Sequence, residues 1–189
     1  PLLVYVLTFI PHINYLFSKC QKALNLLRVA AHTDWGADRN VLLRLYRSHI
    51  RSKLDYGCIV YGSARKSYIK RLDSIHNQGL RLVLGAFRTS PVNSLYVEAN
   101  EPSLYYRRKK LSLQYTLKLK SSPNNPAYNT VFHPLYKQLF LRKERVIPPF
   151  SLRVESLLDN IDVDLDDIAE VGVLGVPPCT LNSPQYLFD

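Results

Sequence analysis

The sequence predicts a mainly α-helical protein, a bundle of about four to five helices followed by an irregular, Pro-rich, acidic C-terminal tail. Before residue 120, apolar residues recur three and four positions apart in several segments, as on one face of an amphipathic helix. Gly and Pro separate these segments where helices end or begin. All 25 Lys and Arg lie in residues 1–153, whereas residues 154–189 hold eight Asp and Glu and three Pro.

The first helix is expected over residues 11–31. Its apolar stripe is formed by Ile13, Leu16, Phe17, Cys20, Leu24, Leu27 and Ala31. Lys19 and Lys22 lie outside that stripe, so we expect them to face solvent or a ligand.

A second helix is expected after Asp38, which is a favourable N-cap, and continues to about Leu54. Arg44, Arg47 and Arg51 follow one another at i, i+3 and i+7, which places them on one outer face. No acidic residue lies among them in the sequence, so this arginine stripe is predicted to be unneutralised. Periodicity leaves open whether residues 56–61 continue the helix or bend it.

The third helix is predicted over residues 66–84, with Gly85 as its natural stop and with Lys66 and Lys70 facing outward. Pro91 and Pro102 suit the first turn of a helix, so two further helices are expected over residues 92–99 and 102–120. The longer of these carries four consecutive cations: Arg107, Arg108, Lys109 and Lys110. Four consecutive like charges require a functional reason.

Beyond residue 120 the sequence contains more Pro and Asn and less helical periodicity. We therefore expect a helical domain over residues 11–120, a loop-rich basic segment over residues 121–153 with one short helix at 135–143, and an acidic irregular linker over residues 154–189. The formal net charge of +10 excludes an acidic solvating protein. The basic body, residues 1–153 with 25 Lys and Arg against seven Asp and Glu, favours a polyanionic partner, with nucleic acid first.

No catalytic constellation is visible in the sequence. The acidic residues before residue 154 are scattered, and the five His lack metal-ligand spacing. We therefore expect no catalytic residue, no metal, no cofactor and no membrane partner for this chain. Three Cys without a CxxC pair favour a reducing intracellular compartment, the cytoplasm or nucleus. Four tyrosines near the basic residues are interpreted as core residues rather than base-stacking ones: Tyr46, Tyr61, Tyr105 and Tyr106.

A series of short motifs resembles the polyproteins of jockey-like non-LTR (LINE-type) retrotransposons. The motifs occur in that family's order and approximate spacing over residues 20–120. They are WGAD (35–38), LRLYRS (43–48), LDYGCIVYGSA (54–64), HNQGLRL (76–82), GAFRTSPV (85–92), EPSL (101–104) and RRKKL (107–111). Gly79 occupies a position where Ala is common in the family, which predicts a helix weakened by about 1 kcal/mol.

The resemblance implies that this chain is the thumb and connection region of a reverse transcriptase, an RNA-directed DNA polymerase. In the family this region follows the polymerase palm and precedes a ribonuclease H domain, so residues 1–10 correspond to a remnant of the palm–thumb junction. Catalysis and its Mg²⁺ belong to the palm, and the chain is expected to be a fragment that is inactive without the remainder of the polyprotein. Its partners are then RNA and DNA template and primer.

Ten basic residues are candidates for contacts with phosphates, which position a nucleic acid without reading its sequence. They are Lys19, Lys22, Arg44, Arg47, Arg51, Lys66, Lys70, Arg107, Arg108 and Lys110. The alternative is a decayed, non-catalytic helical interaction module with no nucleic-acid role. Convergence of these cations on one face favours the first interpretation, and their dispersal favours the second.

Overall fold

The computed structural model describes residues 9–32, 34–134, 137–138, 142, 148–159, 165 and 168–169. Within these residues the chain is mainly helical and contains no strand, in agreement with the predicted class. The elements are α1 (Ile10–Ala30), α2 (Arg39–Tyr46), a π-helical turn (Arg47–Arg51), α3 (Ser52–Asp55), α4 (Cys58–Tyr61), α5 (Lys66–Leu84), α6 (Val92–Glu98), α7 (Leu104–Lys120), α8 (Ala127–Phe132) and α9 (Phe150–Asp159).

The centre of the fold is the packing of α1 against α5. The apolar stripe predicted for α1 is buried, with Ile13, Cys20 and Leu24 fully enclosed. On α5, Leu72 and Leu80 are equally enclosed. The predicted first and third helices are therefore confirmed, because a stripe at helical spacing gains most free energy when another such stripe covers it.

The second helical segment is not a regular α-helix. Asp38 caps α2 as predicted, its carboxylate accepting the Asn40 backbone N–H at 3.0 Å. The π-helical turn then interrupts the α-helical register before α3 begins. After α3 the chain bends, since Tyr56 is extended and Gly57 has a φ of 66°. This bend answers the question that periodicity left open.

The ends of the later helices follow the expected capping chemistry with one shift. Gly85 ends α5 in the left-handed conformation, with a φ of 61°. Helix α7 begins at Leu104 rather than at Pro102, and its N-cap is Ser103, whose hydroxyl accepts the Tyr106 backbone N–H. The start of α7 is therefore fixed by a polar cap.

The expectation that the packed body ends near residue 120 is wrong. Helix α9 packs on α7, with Val154 and Leu158 buried and the rings of Tyr115 and Phe150 5.7 Å apart. The domain boundary predicted at residue 153 falls inside this helix. Residues 1–8, most of the short helix expected at 135–143 and most of the linker from 160 onward lie outside the described residues. Across the described helices, none has the length and apolar composition that crossing a membrane requires.

Gly79 lies where α5 meets the ring of Tyr46. A Cβ atom built at this glycine would be 2.8 Å from Cδ2 and Cε2 of Tyr46 and 3.5 Å from Leu24. The ring cannot easily move, because Tyr46 is fully buried and its hydroxyl is hydrogen-bonded to His76. The lost helix propensity at Gly79 is thus the consequence of a close helix–ring contact.

We predict that Gly79→Ala lowers the free energy of unfolding by up to about 2 kcal/mol, because overpacking costs about 1–3 kcal/mol and the helix-propensity gain of about 1 kcal/mol offsets only part of it. Urea denaturation followed by circular dichroism measures the change. In a Tyr46→Leu background, which removes the ring, the same substitution should become neutral or stabilising. A stabilised single Gly79→Ala variant would contradict the close contact.

Candidate nucleic-acid interface

A buried carboxylate, Glu101, lies between two of the candidate arginines. The turn after α6 passes through Asn100 in the left-handed conformation, and the Glu101 backbone N–H donates to the Tyr96 carbonyl at 3.0 Å. The Glu101 side chain is only 1% exposed. Its Oε1 accepts from Nε of Arg47 at 2.5 Å and from Nη1 of Arg51 at 2.7 Å. Both guanidinium groups of the π-helical turn are thereby held by one carboxylate.

A second carboxylate extends this network to α7. Asp55, the last residue of α3, accepts two hydrogen bonds from Nε of Arg107 and a third from Nη2 at 2.7 Å. These bonds raise the pKa of the Arg107 guanidinium. Nε of Arg51 lies 3.9 Å from Asp55, so the two carboxylates share one arginine. We call these five residues, Arg47, Arg51, Asp55, Glu101 and Arg107, the ion network.

A buried polar pair lies next to the ion network. The Tyr46 hydroxyl is hydrogen-bonded to Nδ1 of His76, and the Tyr96 ring lies 5.4 Å from the His76 ring. Burial raises the pKa of Tyr46 far above its usual range, so its hydroxyl stays protonated at physiological pH. Burial also lowers the pKa of His76 to about 4, against the opposing effect of the Glu101 carboxylate. The imidazole is therefore neutral at physiological pH.

The prediction that no acidic residue neutralises the arginine stripe is wrong. Arg47 and Arg51 are paired with Glu101, which lies at least 50 residues further along the chain. The π-helical turn also breaks the regular spacing between Arg44 and the other two arginines. Arg44 alone among the three is exposed and forms no ion pair within the described part of the chain.

The basic run of α7 is divided in the same way. Arg107 is bound to Asp55, and Nη1 of Arg108 lies 3.9 Å from Asp73 on α5. Burial raises the pKa of Asp73, which the charges of Arg108 and Lys70 oppose. Lys110 is exposed and has no ion-pair partner among the described residues. Two of the four consecutive cations are thus neutralised internally.

Six of the ten candidate cations are exposed, and they are spread over four helices. Lys19 lies over the ring of Tyr15 on the same helix, its Nζ 5.3 Å from the ring centroid. The exposed cations are Lys19 and Lys22 on α1, Arg44 on α2, Lys66 and Lys70 on α5, and Lys110 on α7. The structure therefore separates the ten residues into six solvent-facing cations and four that contact carboxylates.

The four tyrosines of the sequence analysis also divide. Tyr46 and Tyr61 are buried, as expected. Tyr105 and Tyr106 are 54% and 64% exposed, so their assignment to the core is wrong. They stand at the start of α7 beside the basic run, which is the arrangement that sequence reasoning missed. The signal was present, since neither tyrosine continues the apolar stripe of α7 through Leu104 and Leu111.

The described residues contain no group of three His, Cys, Asp or Glu side chains close enough to hold a metal ion. Cys20 and Cys58 are free and buried. Burial raises the pKa of both thiols to about 11, which opposes nucleophilic chemistry at neutral pH. Cys58 is therefore a packing residue.

Comparisons of the chain with protein-family models, with curated proteins and with solved structures found no match.

We predict that Glu101→Gln lowers the free energy of unfolding by about 2–3 kcal/mol. Removing one partner of a fully buried ion pair costs about 3–5 kcal/mol. The expected loss is smaller here because Arg47 and Arg51 keep partial contact with water. Urea denaturation gives the value. The matched control is Glu98→Gln. Glu98 lies three residues before Glu101 and also binds an arginine, Arg39, at 2.6 Å, but its side chain is 63% exposed. That variant should change stability by less than about 1 kcal/mol. Equal effects of the two substitutions would refute the special role of Glu101.

The low pKa of His76 predicts a loss of stability in mild acid. The unfolded chain binds a proton at His76 near pH 6.5 and the folded chain only near pH 4, so the stabilisation is complete above pH 6.5 and is lost as the pH falls towards 4. Between pH 7 and pH 5 this amounts to about 2 kcal/mol, at about 1.4 kcal/mol per pH unit. Urea denaturation at the two pH values measures it.

Replacement of the histidine provides the control for this pH dependence. A His76→Asn variant keeps an oxygen that can accept from Tyr46 and should lose most of the change between pH 7 and pH 5. The variant His49→Asn, at an exposed position, should retain it. If wild type and His76→Asn lose stability equally, another group is responsible.

Proposed function

We propose that this chain is the thumb and connection part of a reverse transcriptase of a jockey-like non-LTR retrotransposon, and that it holds RNA and DNA template and primer by their phosphates. The polymerase palm, with its Mg²⁺, and the remainder of the polyprotein would act beside it. In this proposal a bundle of about four to five helices, packed on one another in layers, forms the domain that holds the nucleic acid.

The observation that carries the proposal is an excess of positive charge that the carboxylates of residues 9–120 cannot neutralise. Residues 9–120 contain 20 Lys and Arg but only six Asp and Glu, an excess of 14 positive charges. Even if every carboxylate pairs with a cation, most of the cations remain without an acidic partner in this region. Such an excess destabilises a compact chain by self-repulsion unless a polyanion offsets it.

The placement of the resembling motifs supplies further support. LRLYRS contributes Tyr46 and Arg47, LDYG contributes Asp55, and EPSL contributes Glu101. Together with HNQGLRL and RRKKL, these motifs meet in and beside the ion network. The motifs therefore have a common structural purpose, which makes their joint presence more informative than any one of them.

The proposal assigns two roles to the ten candidate cations. The six exposed ones are proposed to contact phosphates directly. Arg47, Arg51, Arg107 and Arg108 are proposed to act indirectly, because their carboxylate partners fix α7 against the π-helical turn, α3 and α5. A cation already bound to a buried carboxylate has less charge to offer to a phosphate.

One observation agrees equally well with the alternative of a decayed helical interaction module. Four of the ten candidate cations contact carboxylates of this same chain, and the six exposed ones are spread over four helices. That distribution fits an ordinary basic surface as well as a binding face. Measurement of nucleic-acid binding separates the two functions.

We predict that the chain binds an RNA–DNA primer–template duplex with an affinity that falls as salt rises, because each neutralised phosphate releases condensed counterions. Replacing Lys19, Lys22 and Arg44 together with Gln should flatten the slope of log K against log salt by about 2.7, at roughly 0.9 per contact on duplex. Fluorescence anisotropy across a salt titration gives both slopes.

The control for this measurement removes the same charge elsewhere. Arg28, Arg65 and Arg88 are also exposed, so their triple Gln variant matches the loss of long-range attraction. Its slope should stay close to that of wild type. Equal slopes for the two triple variants would discard Lys19, Lys22 and Arg44 as contacts, and an absence of salt-dependent binding would leave the interaction module as the function.

A further inference from the structure

Two adjacent aromatic rings project from the first turn of α7 into solvent. Tyr105 and Tyr106 make an edge-to-face contact, with ring centroids 5.3 Å apart. More than half of each side chain is exposed, as given above. Nζ of Lys109 lies 4.8 Å from the centroid of the Tyr105 ring, and Lys110 is exposed one residue further on. We call these four residues the tyrosine platform.

The tyrosine platform is held on rigid backbone. Arg107, the residue directly after the two tyrosines, is bound by three hydrogen bonds to Asp55. The Ser103 hydroxyl caps the helix through the N–H of Tyr106 itself. Glu101, two residues before that cap, is buried against the π-helical turn. An exposed ring on an anchored helix loses less entropy on binding than a ring on a mobile loop.

Tyrosine rings next to lysines that have no ion-pair partner in the described part of the chain have the chemistry of a single-strand binding surface. Aromatic rings stack on the faces of bases whatever their identity, while lysines meet the phosphates between them. In a duplex the base faces are covered by neighbouring pairs, so only an unpaired strand can use the rings. A membrane surface is a poorer occupant, because an interfacial helix presents a continuous Leu, Phe or Trp face, whereas both aromatic residues of the platform carry hydroxyls.

We infer that the tyrosine platform binds unpaired nucleotides of a single-stranded RNA or DNA, with Tyr105 and Tyr106 stacking on bases and Lys109 and Lys110 meeting the adjoining phosphates. The inference rests on the proposed function and specifies its ligand, since phosphate contacts alone do not distinguish an unpaired strand from a duplex. A base that stacks on Tyr105 displaces the Lys109 ammonium from the ring. The ammonium is then available to a phosphate.

Two probes of equal charge test the inference with the full chain. One is a 12-nucleotide oligothymidylate, and the other is a 12-mer of the same phosphate backbone in which every base is absent. Wild type should bind the first more tightly than the second. The double variant Tyr105→Ala/Tyr106→Ala should bind oligothymidylate at least about fivefold more weakly, given the cost of removing a stacking ring, and should bind the abasic strand as wild type does.

Matched variants separate stacking from loss of structure. Tyr105→Phe/Tyr106→Phe keeps both rings and should keep the preference for bases. Tyr15→Ala removes another exposed tyrosine that has a lysine over its ring, on α1, and should leave both affinities unchanged. Lys110→Gln should weaken binding of both probes, because Lys110 is exposed and phosphates are present in both.

Each outcome bears on a different level of the proposal. Equal wild-type affinity for the two probes would overturn the tyrosine platform while leaving phosphate binding intact. An equal loss on both probes in the double Ala variant would also overturn it, since the rings would then not be contacting bases. Failure to bind either probe or the primer–template duplex would overturn the proposed function together with this inference.

Discussion

The buried carboxylate of Glu101 constrains the arrangement of the helices around it. A charge removed from water is unfavourable unless hydrogen-bond donors replace the lost hydration, and here Arg47 and Arg51 supply them at 2.5 and 2.7 Å. Because Glu101 lies just before α7 and the two arginines lie in the π-helical turn, this contact holds the N-terminal end of α7 against that turn. Asp55 and Arg107 repeat the same type of contact one turn into α7.

This constraint changes what a basic sequence means. Counted along the chain, Arg47, Arg51 and Arg107 look the same as Lys22 or Lys110. In the fold, Arg47, Arg51 and Arg107 form ion pairs with carboxylates that would otherwise be buried without partners. A net excess of positive charge remains, because the described carboxylates are few. It lies on exposed cations spread over four helices and not on Arg47 and Arg51, which the sequence predicted to be unneutralised. Phosphate attraction and helix positioning thus use different members of one charged set.

The sequence predicted those features that depend on interactions between residues close together in the chain. Helices α1 and α5, the Asp38 cap and the Gly85 stop depend on residues within a few positions of one another, and all four were predicted correctly. The pairing of Arg51 with Glu101 joins residues 50 apart, and no local pattern indicates it. Helix α9 was missed because the sequence beyond residue 120 contains more Pro and Asn and less helical periodicity, whereas the stability of α9 comes from burial against α7.

The exposed tyrosines and the buried ion network lie together at the start of α7, and the ion network positions the tyrosines. Burying Glu101 and binding Arg107 orders the helix backbone from within, so the residues between them, Tyr105 and Tyr106, project from a fixed position while most of each side chain stays exposed. A large aromatic side chain left in water forgoes the free energy that burial would provide. Binding of a stacked base recovers part of that free energy, and the ordered backbone keeps the entropic cost of doing so low. The ion network binds three arginines to carboxylates, so they are not proposed to contact phosphates. By ordering the backbone of α7, the same network makes the neighbouring tyrosine rings suitable for contacts with bases.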